Sequence, residues 1–404
     1  MNLVVHRKKL LDVGLFNVLK ALSVIMSMLI VVVSYKLFSF EIYSGIQSDY
    51  ALYAFVVLIF NIGLNPVSQI IGNSKKNLLN EFKLVVVIYI FSLLLLNLVV
   101  PKKIFINIIS FNEFNKCLIY GWPLLLVQNI ISFYFLGQKN YLFHFLTPTI
   151  NNLLIFIGVL LFYITDNYNL IFFLPLIFSL IICFSLVVDI SFKSINKRSL
   201  FVISHLWKSN ILPVLSSFVG IKNINYFIIT FVGSSFFGIY KMAITIFNPL
   251  NFFLSTKMTI ISNDALREGK KILSNMHKIS ALKKIYLLSN LAFCALLYVI
   301  NNYVYRFYEL SFVFIICFSL INILSNIYKL DNSVMFVAKK NSLRVYSDIA
   351  IFCGMTLCFI AIPRYFSFSE LQIMYVIVVL YLINYLVSNF FYYFKNKYQH
   401  ESYD

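Results

Sequence analysis

Twelve times along this chain an apolar run lasts close to the roughly 20 residues that a helix needs to cross a bilayer, and this repetition leaves few folds open. The runs cover 10–38, 50–71, 84–100, 117–137, 141–163, 170–192, 204–231, 235–257, 285–301, 310–329, 345–362 and 371–394. Hydrophobic residues make up 61% of the sequence and charged residues only 12%, where a soluble domain carries about 25% charged residues. Water could not solvate such a surface, and mean hydropathy of +0.86 points the same way. The expected fold is an all-α polytopic membrane protein with about 12 transmembrane helices.

The formal charge of +18 would suggest nucleic acid in a soluble protein. Here its distribution gives another explanation. With the N-terminus inside, cytoplasmic segments hold 24 of the 33 basic residues and outer loops hold six. That asymmetry follows the rule that lysine and arginine stay on the cytoplasmic side, so both termini are expected there. No basic run is long enough for a nucleic-acid-binding domain, so anionic lipid headgroups are the expected partners. The basic start, Arg7-Lys8-Lys9, precedes a run of full membrane length without a small-residue cleavage site, and reads as a retained first helix.

The six cysteines lie scattered in apolar runs without a CxxC pair, and read as small buried hydrophobes. No histidine pair has metal-ligand spacing, so neither metal nor cofactor is signalled. The longest loop, 257–284, is basic and belongs inside. No outer loop is large enough for a catalytic domain, which argues against an enzyme.

The pattern S-x4-Y-x5-IFN occurs twice, starting at Ser48 and Ser235. The offset is close to half the chain and puts each copy on the second helix of its half. Transporters are often built from such internal repeats, with the substrate site between them. Two lobes are expected, 1–199 and 200–394, joined through the basic stretch 193–208 and followed by a cytoplasmic tail, 395–404.

VGSSFFGIYKMAITIFNPL resembles the eighth-span signature of polysaccharide flippases, a small-residue turn followed by Gly-x-Tyr and an Ala-containing helix. YALYAFVVLIFNIGLNPVSQIIG is similar to their second span. The order of elements matches over almost the whole chain. The resemblance is to O-antigen flippases (Wzx type) of the multidrug/oligosaccharidyl-lipid/polysaccharide exporter superfamily. It implies two six-helix lobes around a central cavity and alternating access in a bacterial inner membrane. The implied substrate is an undecaprenyl-pyrophosphate-linked oligosaccharide, the O-antigen repeat unit. The implied partners are this lipid-linked glycan, membrane lipids, and the polymerase and chain-length regulator of the same pathway. Two departures stand out. Asn225 occupies a position where many relatives carry an acid, and 41–49 looks like an insertion between spans one and two.

Flipping a lipid-linked sugar makes and breaks no bond; its difficulty is drawing a pyrophosphate and a glycan through a low-dielectric slab. Cations would pair with the pyrophosphate, and amides would bind the sugar. The intramembrane cations are Lys222, Lys241 and Lys20; the amides are Asn223, Asn225, Gln128, Asn129, Asn61, Asn65 and Asn152. Each has a plainer alternative. A lysine can lift its ammonium to the interface, and an amide can simply join two helices. Asp12, Asp189 and Asp348 lie near the inner interface as expected solvated groups, and no acid is expected at mid-depth. An O-antigen polymerase and a small-molecule exporter on the same fold are the alternatives. The first would need a large arginine-bearing outer loop, the second a compact pocket with a buried carboxylate.

Overall fold

The computed structural model describes residues 2–61, 63–74, 78–99, 116–191, 194–219, 224–247, 250–251, 276–303, 312–337, 341–361 and 369–400. These residues are almost entirely helical, without a strand. The first helices are α1 (Asn2–Leu37), α2 (Phe40–Asn61), α3 (Leu64–Asn73), α4 (Leu79–Val99), α5 (Lys116–Gly137), α6 (Tyr141–Thr165) and α7 (Leu170–Val188). They continue with α8 (Lys197–Val219), α9 (Ile224–Phe227), α10 (Ser234–Ile246), α11 (Met276–Tyr303), α12 (Phe312–Val337), α13 (Asn341–Thr356) and α14 (Glu370–His400). The π-helical turns Ile228–Val232 and Leu357–Ala361 extend α9 and α13.

Among the described residues eight helices are long and apolar enough to cross a membrane. Shorter apolar helices cover Phe312–Ile327 and Asp348–Ile360. Leu98, Val99, Ile164, Phe184 and Phe201 are each more than two-thirds exposed, which only a hydrocarbon solvent makes favourable. The chain is a multi-pass membrane protein. Within and after expected spans seven and eight, 220–223, 248–249 and 252–275 lie outside the described residues, and α10 has 13 residues. Three cysteines are buried (Cys183, Cys294, Cys317), whereas Cys353 is exposed rather than buried as expected.

The chain divides into two compact units, Met1–Leu215 and Ser216–Asp404. In the first, α1 packs along α6, α3 and α4 pack on α5, and α7 packs on α5 and α6. A Cβ on Gly137 would run into Gln69 O, so this glycine lets α5 and α3 touch backbone to backbone. In the second unit α12 packs on α11 and α14, and α13 packs on α14.

The segment 41–49 is not a loop between spans one and two. It forms the first turns of α2, with Tyr43, Ile46, Gln47, Ser48 and Asp49 all buried. The second span accordingly starts ten residues earlier than expected and breaks at Gly63, whose φ of +85° suits glycine. A second break falls where the Gly-Ser-Ser sequence predicts it. Gly233 has φ +119° and ψ 161°, a region essentially reserved for glycine, and α10 starts at Ser234.

Prolines inside spanning helices free a carbonyl four residues back. Pro123 in α5 frees Ile119 O, and Asn97 of α4 donates its Nδ2 to Ile119 O and Tyr120 O, each at 2.9 Å. Asn97 Oδ1 in turn accepts Trp122 Nε1–H at 3.3 Å. Pro148 in α6 frees His144 O, and the Ser132 hydroxyl of α5 donates to it at 2.9 Å. A double-mutant cycle tests this coupling. Asn97→Leu should destabilise the purified protein by about 0.6 to 1.7 kcal/mol. The loss should shrink in a Pro123→Ala background, where residue 123 regains its N–H. Equal losses in both backgrounds, read from thermal unfolding in detergent, would contradict the assignment.

Candidate functional site

A ladder of polar groups runs through the interior of the first unit. α1 and α6 meet along Leu19, Lys20 and Ser23 on one side and Phe145, Thr149 and Asn152 on the other. These residues are spaced three and four apart and so share a helix face. Lys20 is 8% exposed, and its Nζ lies 5.0 Å from the centre of the Phe145 ring. Thr149 Oγ1 lies 3.0 Å from Leu19 O and 2.7 Å from Phe145 O. Asn152 Nδ2 donates to Ser23 O at 3.2 Å and Ser23 Oγ at 3.1 Å, while its Oδ1 accepts the Tyr50 hydroxyl of α2 at 3.3 Å.

Next to Tyr50 on α2 stands Asp49, 2% exposed, which accepts the Tyr168 hydroxyl at 3.0 Å from the α6–α7 turn. Burial, with the Asp49 carboxylate beside it, holds the Tyr168 phenol well above its ordinary range, so it remains a donor. Gln47 Nε2 and Ser48 Oγ are buried on the same helix without a hydrogen-bond partner among the described residues. Asp49 is a mid-helix carboxylate where none was expected. The helical spacing of Tyr43, Ile46, Tyr50 and Tyr53 across the supposed insertion is the signal that would have found it. Asp348 likewise is 1% exposed rather than solvated. Asp189 is 60% exposed and pairs with Lys83 at 3.0 Å. The Asp12 side chain lies outside the described residues.

Asn152 and Lys20 thus lie on one ladder. Gln128 lies elsewhere: its Nε2 donates to Pro175 O at 3.2 Å and Ser179 Oγ at 2.6 Å, joining α5 to α7. Asn61 Oδ1 accepts Asn65 N–H at 2.9 Å across the break between α2 and α3. Asn65 and Asn129 are half-buried on α3 and α5.

In the second unit Lys241 and Asn225 are half-buried on α10 and α9. Lys222 and Asn223 lie outside the described residues. A neutral knot of amides that no sequence motif announced joins α11 and α12. Asn322 Nδ2 donates to Asn290 Oδ1 at 2.8 Å and to Tyr286 Oη at 2.9 Å, and Asn326 Nδ2 donates to Tyr286 Oη at 2.8 Å. Asn251 Nδ2 donates to Asn322 Oδ1 at 2.8 Å. The pairs Tyr286/Asn290 and Asn322/Asn326 each sit four apart on one helix face. Among the described residues no three His, Cys, Asp or Glu side chains cluster as metal ligands.

No protein-family model and no curated protein sequence matches the chain. Solved structures do match its fold. An outward-facing multidrug resistance MATE family transporter of the MOP superfamily aligns with TM-score 0.65 at 13% identity, covering 97% of this chain and 96% of the other. An inward-facing one aligns with TM-score 0.64 at 13% identity, covering 92% of each. A MOP superfamily transporter from Pyrococcus furiosus, described as having a binding pocket of reverse polarity, aligns with TM-score 0.63 at 12% identity over 96% and 95%. The chain has the all-α polytopic fold of these 12-helix transporters.

Proposed function

We propose that the chain is a flippase that carries an undecaprenyl-pyrophosphate-linked oligosaccharide, the O-antigen repeat unit, across a bacterial inner membrane by alternating access. Both termini face the cytoplasm, and the two lobes are 1–199 and 200–394. The observation that carries this reading is Lys20. A lysine at the centre of a spanning helix costs about 2.5 to 3.5 kcal/mol on insertion scales, and Lys20, in the inner third of the expected first span, costs less. A ring contact such as that with Phe145 returns about 0.5 to 2 kcal/mol. A pyrophosphate passing this face would pair with the lysine in charge-assisted contacts. The amides and hydroxyls above it, Ser23, Asn152 and Tyr50, offer the hydrogen bonds a sugar needs. Lys241, Lys222, Asn223, Asn225 and Asn129 are further proposed substrate-binding residues. Likeness to both outward-facing and inward-facing transporters supports alternating access. Wzx-type flippases share the superfamily of these neighbours.

Asp49 favours a second reading, a small-molecule exporter for organic cations, because a buried carboxylate is the group such a substrate would seek. The two readings separate in vesicles. With labelled lipid-linked glycan, the wild-type protein should abolish leaflet asymmetry. Lys20→Ala or a Lys222→Ala/Lys241→Ala pair should slow the flipping roughly tenfold or more, the equivalent of about 1.4 kcal/mol. Unchanged asymmetry with well-reconstituted wild type would overturn the flippase reading.

Under that reading Asp49→Asn leaves flipping of the glycan intact. Under the exporter reading the same variant abolishes efflux of a fluorescent organic cation, and the lysine variants leave it unchanged. Measuring both substrates on both sets of variants decides between them.

A further inference from the structure

At one end of the first unit the helices α4, α5, α6 and α7 enclose a groove of about 650 Å³. Phe82, Val86, Ile131, Phe135, Leu146 and Phe178 supply apolar walls. Thr147, also in the lining, turns its hydroxyl back onto Phe143 O of its own helix at 3.1 Å. Along α7 the groove runs from Phe178 to Asp189. At 1.5 Å per residue this is roughly 16 Å, about half of a ~30 Å hydrocarbon core and so one leaflet deep.

Its rim is polar. Lys83 Nζ meets Asp189 Oδ2 at 3.0 Å, and Gln138 Nε2 donates to Tyr134 Oη at 2.6 Å. Lys83 is the buried member of the ion pair at 16% exposure, and Asp189, at 60%, is the one free to turn to water. Lys139 is exposed on the α5–α6 turn at the same end. The start of α8, with Lys197 and Arg198, is tied there by Asn196 N–H donating to Glu81 Oε1 at 3.0 Å. This basic end is the cytoplasmic one by the positive-inside rule.

We infer that the groove holds the isoprenoid chain of an anionic polyprenyl phosphate carrier, with the phosphate at the Lys83 rim. The inference rests on the flippase reading and names where the substrate's lipid part is held. A single apolar trough one leaflet deep, capped by excess positive charge, matches an amphiphile with one chain and a phosphate head. A two-chain phospholipid would have to splay its chains to enter. Four aromatic rings (Phe82, Phe135, Phe143 and Phe178) give the methyl branches of an isoprenoid flat faces to pack on. The position also fits the task. Substrate is delivered in the inner leaflet, and its chain has to stay in hydrocarbon while its head enters a polar route.

The test uses undecaprenyl phosphate bearing a diazirine on its chain, photolysed with the full-length protein in vesicles. Label should appear in peptides from 130–150 and 178–186. Excess unlabelled undecaprenyl phosphate should displace it, and phosphatidylglycerol should not. Ile131→Trp and Ile182→Trp fill the groove and should reduce labelling about tenfold, the equivalent of ~1.4 kcal/mol. Lys83→Ala, a milder change, should weaken displacement by the phosphate. Leu95→Trp, at a lipid-facing position elsewhere on α4, should change nothing and serves as the folding control. Equal displacement by phosphatidylglycerol, or labelling that the groove variants leave intact, overturns the proposal. Flipping of labelled lipid-linked glycan by the same preparations separates the two readings. Label in the groove without flipping supports the chain site and overturns transport, and flipping that the filled groove does not slow overturns the chain site alone.

Discussion

In hydrocarbon a freed carbonyl has no water to accept from, and the first unit is arranged around meeting that demand. α5 is where it is met most often. Its own proline frees Ile119 O, which Asn97 serves, and its Ser132 serves the carbonyl that Pro148 frees in α6. Gln128 joins it to α7 at Pro175 O and Ser179. These polar groups on α5 and α4 are thus occupied in holding kinked helices together. The faces of α1, α2 and α6 carry polar groups beyond what the backbone asks for, and Lys20, Asp49 and Asn152 lie there.

Both units bury polar groups. In the second, five side chains around Tyr286 form a neutral, mutually hydrogen-bonded knot. An interhelical amide contact is worth about 0.6 kcal/mol and never strains the low dielectric. The first unit also buries Lys20 and Asp49, and the second buries Asp348; a charge in hydrocarbon costs several times as much before it is compensated. Magnitude alone thus separates amides from charges. Amides of this kind are adequately explained by packing.

Apolar length was enough to place α5 and the starts of α6 and α7 to within a residue, because a run long and apolar enough to span shows in the sequence whichever neighbours its faces meet. It failed at α2 for a physical reason. The turns 41–49 are buried against protein rather than lipid, so they tolerate Gln47, Ser48 and Asp49, and their polarity looked like a loop. Direction was the other illegible quantity. Gln128 and Asn152 are both mid-helix amides, and only the identity of the neighbouring helix tells that one donates to a proline carbonyl and the other sits between Ser23 and Tyr50. The Tyr286 knot was hidden by composition, since asparagine is common throughout this chain and an i, i+4 pair draws no notice.

The repeated Ser-x4-Tyr-x5-Ile-Phe-Asn pattern acquires a structural meaning at its end rather than its start. Both copies run into a helix break: α2 stops at Asn61 and α10 at Ile246. A break in hydrocarbon normally leaves amides bare. In the first copy Asn61 Oδ1 takes up the Asn65 N–H across Gly63, so the start of α3 is capped without α2 continuing into it. Beyond the second break, Asn251 is held by Asn322 in the amide knot. In the first copy, then, the motif's own asparagine supplies a partner that a continuous helix would otherwise have provided; Asn248 of the second copy lies outside the described residues. The polar residue of the first copy, Asn61, is therefore explained by backbone geometry.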